Sequence, residues 1–244
     1  AAGIGGAYGS LSGEPFAAVY NPAGVHGLTQ FAAAFEHNEF WSDIRIESGY
    51  FAAPLRNRIA IFGGLRYAAL GNLEIRQLPT SVPDAYADAH DISFKAGLSY
   101  RVNEKLHAGF GFGWMLEKIG THRGSSFNVD LGVQAIVLPR VHAGVSVTNI
   151  GSDITLRHKN EVDSRPIALP TTYRLGASYH GERFVGASDL VVLDDEAHLH
   201  VGVERPIHRL FSVRAGYMFN YDSKGLSAGL SFVRRNLAID YAVV

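Results

Sequence analysis

The sequence predicts an all-β protein: a transmembrane, antiparallel up-and-down β-barrel, with about 14 strands expected and about 13 present. Three observations carry that expectation. Apolar and polar residues alternate with period two from Thr29 to the end of the chain, which puts one apolar and one polar face on each strand. The alternating segments run roughly 9–12 residues, the length a tilted strand needs to cross a bilayer, against about 5–6 in soluble sheets. The connections alternate between short and long, as they do when one side of a barrel carries tight turns and the other carries loops.

The chain opens on Ala1 to Leu28, a glycine-rich and almost uncharged stretch with no sustained helical period and no clean alternation. Residues 1–28 are read as a lumenal plug and residues 29–244 as the barrel. The plug residues singled out are Gly5, Gly6, Tyr8, Tyr20, Asn21, Pro22, Ala23 and Gly24. Proline fixes φ and glycine permits a tight bend, so Asn21-Pro22-Ala23-Gly24 is expected to turn the chain into the first strand.

Strands are then expected to start near Thr29, Asp43, Ile59, Asp91, Leu106, Ser125, Val141, Thr171, Arg183, Glu196, Leu210, Gly225 and Leu237. The pattern is plainest where Phe110, Phe112 and Trp114 oppose Gly109, Gly111 and Gly113. Tyr100, Trp114, Tyr173, Tyr179, Tyr217 and Tyr241 are candidates for interfacial aromatic girdles. Gly71 to His90 and Gly151 to Pro170 read as the two long loops, the second carrying Arg157, His158, Lys159 and Arg165. Placing short turns on the periplasmic side starts the first strand there and sends it outward. Barrels of this kind have even strand numbers, so the odd count predicts one further strand beyond Val244.

Composition excludes several classes. A net charge of −1 over 244 residues leaves no basic footprint for nucleic acid. With no cysteine, there is neither a disulfide framework nor a cysteine-based metal site. No run of about 18 apolar residues marks a transmembrane helix. No secretory leader is visible, so a signal peptide is expected to be absent, or removed to leave Ala1 as a mature or trimmed start.

The candidate lumen-facing charges are Arg45, Arg66, Lys95, Arg174 and Arg214, set against Glu47, Asp130, Asp189, Glu204 and Asp240. Charges inside a narrow barrel must be paired, so an ion-pair network is the leading reading and a polar pathway the other. His198 and His200 share a strand face but lack a third ligand, so no metal and no cofactor is expected. Gly225-Leu226-Ser227-Ala228-Gly229 matches a nucleophile-elbow pattern, yet it lies inside an alternating strand instead of at a strand–turn–helix junction.

Gly5-Gly6-Ala7-Tyr8, followed by Glu14-Pro15-Phe16-Ala17-Ala18-Val19-Tyr20-Asn21-Pro22-Ala23-Gly24, resembles the N-terminal signature of PorV/PorQ-type outer-membrane proteins, within the wider FadL-like group. Gly144 to Gly151, Leu169 to Ala177, Arg214 to Tyr217 and Gly225 to Tyr241 look like later strands of that family. The resemblance implies the outer membrane of a Gram-negative bacterium and a barrel with an N-terminal segment in its lumen. It also implies a non-enzymatic partnership with a type IX-like secretion translocon or surface-attachment machinery. Outer-membrane lipid and one such protein partner are the expected contacts. The alternative it carries is a FadL-like channel taking up hydrophobic small molecules. An outer-membrane enzyme, the third class, would need a Ser/His pair near the membrane boundary.

Overall fold

A computed structural model describes residues 1–40, 44–76, 78–158 and 163–244. Thirteen strands form one antiparallel sheet in strict chain order. They are β1 (Ala32–Glu39), β2 (Ile44–Arg56), β3 (Ile59–Ile75), β4 (Ala85–Arg101), β5 (Leu106–Ile119), β6 (His122–Leu138) and β7 (Val141–Gly151). The second half comprises β8 (Thr172–His180), β9 (Val185–Leu193), β10 (Glu196–His208), β11 (Phe211–Phe219), β12 (Leu226–Arg234) and β13 (Leu237–Val243). Each strand pairs with its sequence neighbours, and among the described residues no ladder joins β1 to β13.

The sheet is amphipathic in the reverse sense of a soluble protein. Phe110, Phe112, Phe127, Leu131, Leu175 and Leu230 point outward and are exposed, whereas Ser99, Asn128, Asp130, Gln134, Ser146 and Asp189 point inward and are buried. Such an apolar outer band costs little only against hydrocarbon, and a polar interior is tolerated only when its groups are bonded to one another or to water. The six girdle aromatics all lie on the outward face. Tyr100 and Tyr179 sit near the short turns, and Tyr173 and Tyr217 near the opposite ends of their strands.

Most expected strand starts fall within a few residues of the observed ones; Asp43 lies outside the described residues. The expected loops are shorter than the sequence suggests. β3 continues to Ile75 and β4 begins at Ala85, so most of the 71–90 stretch is a paired hairpin arm, with a register shift between Leu70 and Leu73. β5 and β6 close through Gly120 and Thr121 in a tight turn, with Gly120 at φ 56°. Beyond the bilayer boundary an outward residue need not be apolar, so alternation fades while backbone pairing continues. Asp194 and Asp195 both take positive φ, the geometry of a two-residue hairpin turn.

Arg45 and Glu47, expected in the lumen, instead share the outward face of Gly49 and Phe51. The Glu47 carboxylate lies 2.7 Å from Nδ1 of His37 on β1. Both residues sit at the loop end of β2, where hydrocarbon no longer dictates which face is apolar. Hence Ile44 and Ile46 point inward there, and the sequence pattern is misleading.

Candidate functional site

The inner face of the sheet is occupied by the N-terminal segment, which crosses the wall from β12 back to β2. Its start packs on β12, where Gly3 lies against Gly229. Ile4 and Gly5 follow along Gly202 of β10 and Gly216 of β11, and Gly9 lies on Gly144 of β7. Asn21 and Pro22 rest on Gly132 of β6 and Gly109 of β5. Ala18 and Val25 then join Ala52, Ala60 and Phe62 in a small apolar cluster on β2 and β3, and Phe16 meets Tyr50 with ring centroids 5.2 Å apart. A second apolar cluster joins Ile4, Ala7 and Leu11 to Ala187, with Tyr8 and Val185 against it.

The segment lies directly against the wall's backbone. A Cβ at Gly132 would stand 2.0 Å from Oδ1 of Asn21, one at Gly144 2.1 Å from the Gly9 carbonyl oxygen, and one at Gly202 2.2 Å from the Ile4 carbonyl oxygen. Real Cβ atoms do not approach so closely, so the wall glycines exist to let the segment lie flush. This ring was only half legible in the sequence. The alternation of glycine with aromatics gave it a small-residue inner face, but not the segment it receives.

Polar side chains from the wall then fix the segment. Asp189, fully buried, accepts backbone N–H bonds from Tyr8 at 2.9 Å and Gly9 at 2.8 Å, and Nη1 of Arg174 at 2.7 Å. The same Arg174 donates to the Gly6 carbonyl at 3.1 Å and its guanidinium lies 5.2 Å from the centre of the Tyr20 ring. Gln134 donates to the carbonyls of Gly9 and Leu11, both at 3.0 Å; Ser146 donates to that of Tyr20 at 2.7 Å and Ser99 to that of Ala23 at 3.1 Å. Asp189 and Arg174 were expected on the inner face, whereas Gln134, Ser146 and Ser99 were not singled out from sequence, because a polar residue on an inward face looks the same whether it meets water or a backbone.

Asn21 works from the segment's side. Its Nδ2 donates to the carbonyls of Gly9, Val133 and Val145 at 3.0, 3.1 and 3.3 Å, and its Oδ1 accepts from Ala23 N at 3.0 Å. With Pro22 opening the 3-10 turn Pro22–Val25, it caps that turn and ties it to β6 and β7. The bend into β1 comes later than expected, at Gly27 with φ 85°. Gly24 has no positive φ; it is required by space, since a Cβ there would lie 2.9 Å from that of Ala17. Gly5 and Gly6, at φ 66° and 69°, supply the turn that precedes Tyr8. The His26 ring stacks on His107 at 3.5 Å, and burial pushes its pKa below the ordinary histidine value.

The remaining expected lumenal charges form separate pairs. Lys95 Nζ lies 2.5 Å from Asp130 and 2.9 Å from Asn149 Oδ1, while Asp130 also accepts from Asn149 N at 2.7 Å. Arg214 links Glu204 and Asp240, each at 2.8 Å. Arg66 faces inward across from Ser48 and Ser93 and has no ion pair among the described residues. His198 and His200 both meet Tyr221, and no group of three or more acidic or histidine side chains converges among the described residues. Ser227 is buried on the inner face of β12, within a strand with no helix following it.

A second closure comes from the β7–β8 loop, which the sequence marks only as a long loop, suited either to recognition or to solvent. Ile154, Leu156 and Leu169 are buried together against Met115, and Ser126 Oγ bonds to Ser152. Arg157 and Arg123 exchange backbone hydrogen bonds at 2.9 and 3.1 Å, so the loop is laid back on the β6 end as a lid. Lys159 lies outside the described residues. Removing about 2 kcal/mol of burial with Ile154→Ala should raise the open-loop population about 30-fold. Faster trypsin cleavage after Arg157, with the global unfolding midpoint little changed, is the expected result.

No protein-family model matches the sequence, and no curated protein aligns with it. Solved structures do match. The Pseudomonas putida toluene transporter TodX superposes with a TM-score of 0.69 at 12% identity, covering 95% of this chain and 87% of its own. The CymD monoaromatic hydrocarbon channel gives 0.70 at 13% identity, over 98% of this chain and 90% of its own. A Pseudomonas aeruginosa FadL homologue gives 0.61 at 12% identity, over 98% and 86%. At these identities the likeness establishes architecture: the chain has the up-and-down β-barrel fold of FadL-type outer-membrane channels.

Proposed function

We propose that this chain is a plugged channel of the outer membrane of a Gram-negative bacterium, passing small hydrophobic molecules and catalysing no reaction. Residues 1–28 act as its plug and residues 29–244 as its barrel. The observation that carries the reading is the lumen itself, filled by a segment bonded to the wall at Asp189 and Asn21. A lumen sealed in this way is unsuited to free diffusion of ions and water. Transit requires the plug and the β7–β8 lid to move, and opening the lid would uncover the buried apolar cluster of Ile154, Leu156 and Leu169 to an entering hydrocarbon. The fold neighbours described as toluene and monoaromatic hydrocarbon channels support this reading over a secretion-system partnership, which rests on the sequence resemblance alone.

The test is uptake of radiolabelled toluene by outer-membrane-intact cells producing the protein, with insertion checked by membrane fractionation. Uptake several-fold above cells lacking the barrel is expected, with no steady ion current from the purified protein in a planar bilayer. Inserted protein that leaves toluene uptake unchanged would overturn the channel reading, and recovery of a stoichiometric translocon complex would favour the secretion partnership.

A further inference from the structure

The outward wall is not uniform. One register row across β8, β9 and β10 reads Leu175, Leu190 and Leu199, all bulky. The next row toward the short turns reads Ala177, Ser188 and Val201, and the one after it Tyr179, Gly186, Val203 and Ala215. Loss of side-chain volume in these rows sinks a groove of about 690 Å³ into the lipid-facing wall, with Tyr179, Tyr217 and Leu226 standing at its sides. Tyr179, Val203 and Ala215 also line a second hollow of about 840 Å³, so the groove continues to the short-turn rim past Phe184.

The rim is cationic. Arg140, Arg183 and Arg205 line it. Arg140 is neutralised by Glu182 at 3.0 Å, whereas Arg183 and Arg205 have no ion pair among the described residues. Unpaired guanidinium groups at the end of an apolar groove, at the level where headgroups begin, match one chemistry: an oxyanion joined to hydrocarbon chains. A second copy of this wall would bring arginines against arginines.

We propose that the β8–β11 groove holds one anionic glycerophospholipid from the leaflet on the short-turn side. Its acyl chain lies over Ala177, Ser188 and Ala215, and its phosphate bridges Arg183 and Arg205. The site is distinct from the lumen and rests on the membrane reading above only in requiring that this wall face lipid.

The experiment is native mass spectrometry of the full chain in mild detergent, offered equal phosphatidylglycerol and phosphatidylethanolamine with identical acyl chains. At least tenfold preference for one retained phosphatidylglycerol is expected. Arg183→Gln with Arg205→Gln should reduce the preference to near unity. Ala215→Trp, which fills the floor and leaves the arginines, should abolish the adduct; both variants should keep the parent unfolding midpoint. Equal retention of the two lipids, unchanged preference in the arginine variant, or lipid-free dimers would overturn the proposal. Protein recovered in the soluble fraction would instead overturn the membrane reading, so the two failures are separable.

Discussion

Asp189→Ala lowers the unfolding free energy by about 3–5 kcal/mol, the usual cost of removing one member of a buried ion pair and leaving the other uncompensated. The carboxylate is the point where three donors converge: Arg174 and the backbone N–H groups of Tyr8 and Gly9. Without it Arg174 keeps only the Gly6 carbonyl among its bonded partners, and the N-terminal segment loses its hold on β9. Asp189→Asn retains an acceptor oxygen but no charge, so it should fall between alanine and the parent. Denaturant unfolding in detergent reads the order. Planar-bilayer recording should show current steps in the alanine variant that the parent lacks. Equal midpoints for all three proteins would mean that Asp189 does not anchor the segment.

Gly132→Leu should be comparably disruptive for a different reason. Its Cβ would stand 2.0 Å from Asn21 Oδ1 and 2.8 Å from Pro22 Cδ, so wall and N-terminal segment cannot both keep their places. Overpacking of a close-packed contact typically costs 1–3 kcal/mol, and here it also threatens the Asn21 bonds to β6 and β7 at roughly 1 kcal/mol each. The same substitution at Gly225, whose nearest neighbour is the Tyr217 ring at 3.6 Å, should change the midpoint by less than about 0.5 kcal/mol. Denaturant midpoints of the two variants, measured side by side, separate plug contact from a general glycine effect.

The strands were legible because the bilayer writes a rule on every second residue. Phe110, Phe112 and Trp114 opposite Gly109, Gly111 and Gly113 state it outright. Where the rule lapses, so did the reading: Arg45 and Glu47 lie beyond the apolar band, and the hairpin arms after Leu70 and Leu116 continue on backbone pairing alone. Within the candidate site, the glycine-rich start of the chain was visible as a misfit, neither helix nor strand. Its partners were not. Gln134, Ser146 and Ser99 bond to backbone carbonyls of the segment, a target with no sequence identity to match. The lid was missed similarly, although Ile154 and Leu156 two apart in a polar loop were a cue.

Whether residues 1–28 lie inside the barrel can be asked of Ala7, which is fully buried in a chain that contains no cysteine. In Ala7→Cys the one thiol faces Ile4, Leu11 and Ala187, and a water-soluble maleimide added to native membranes should leave it unmodified. Unfolding the protein, or adding Asp189→Ala, should expose it to complete labelling. Rapid and complete labelling of the folded, membrane-inserted Ala7→Cys protein would place the segment outside the lumen and contradict the plug.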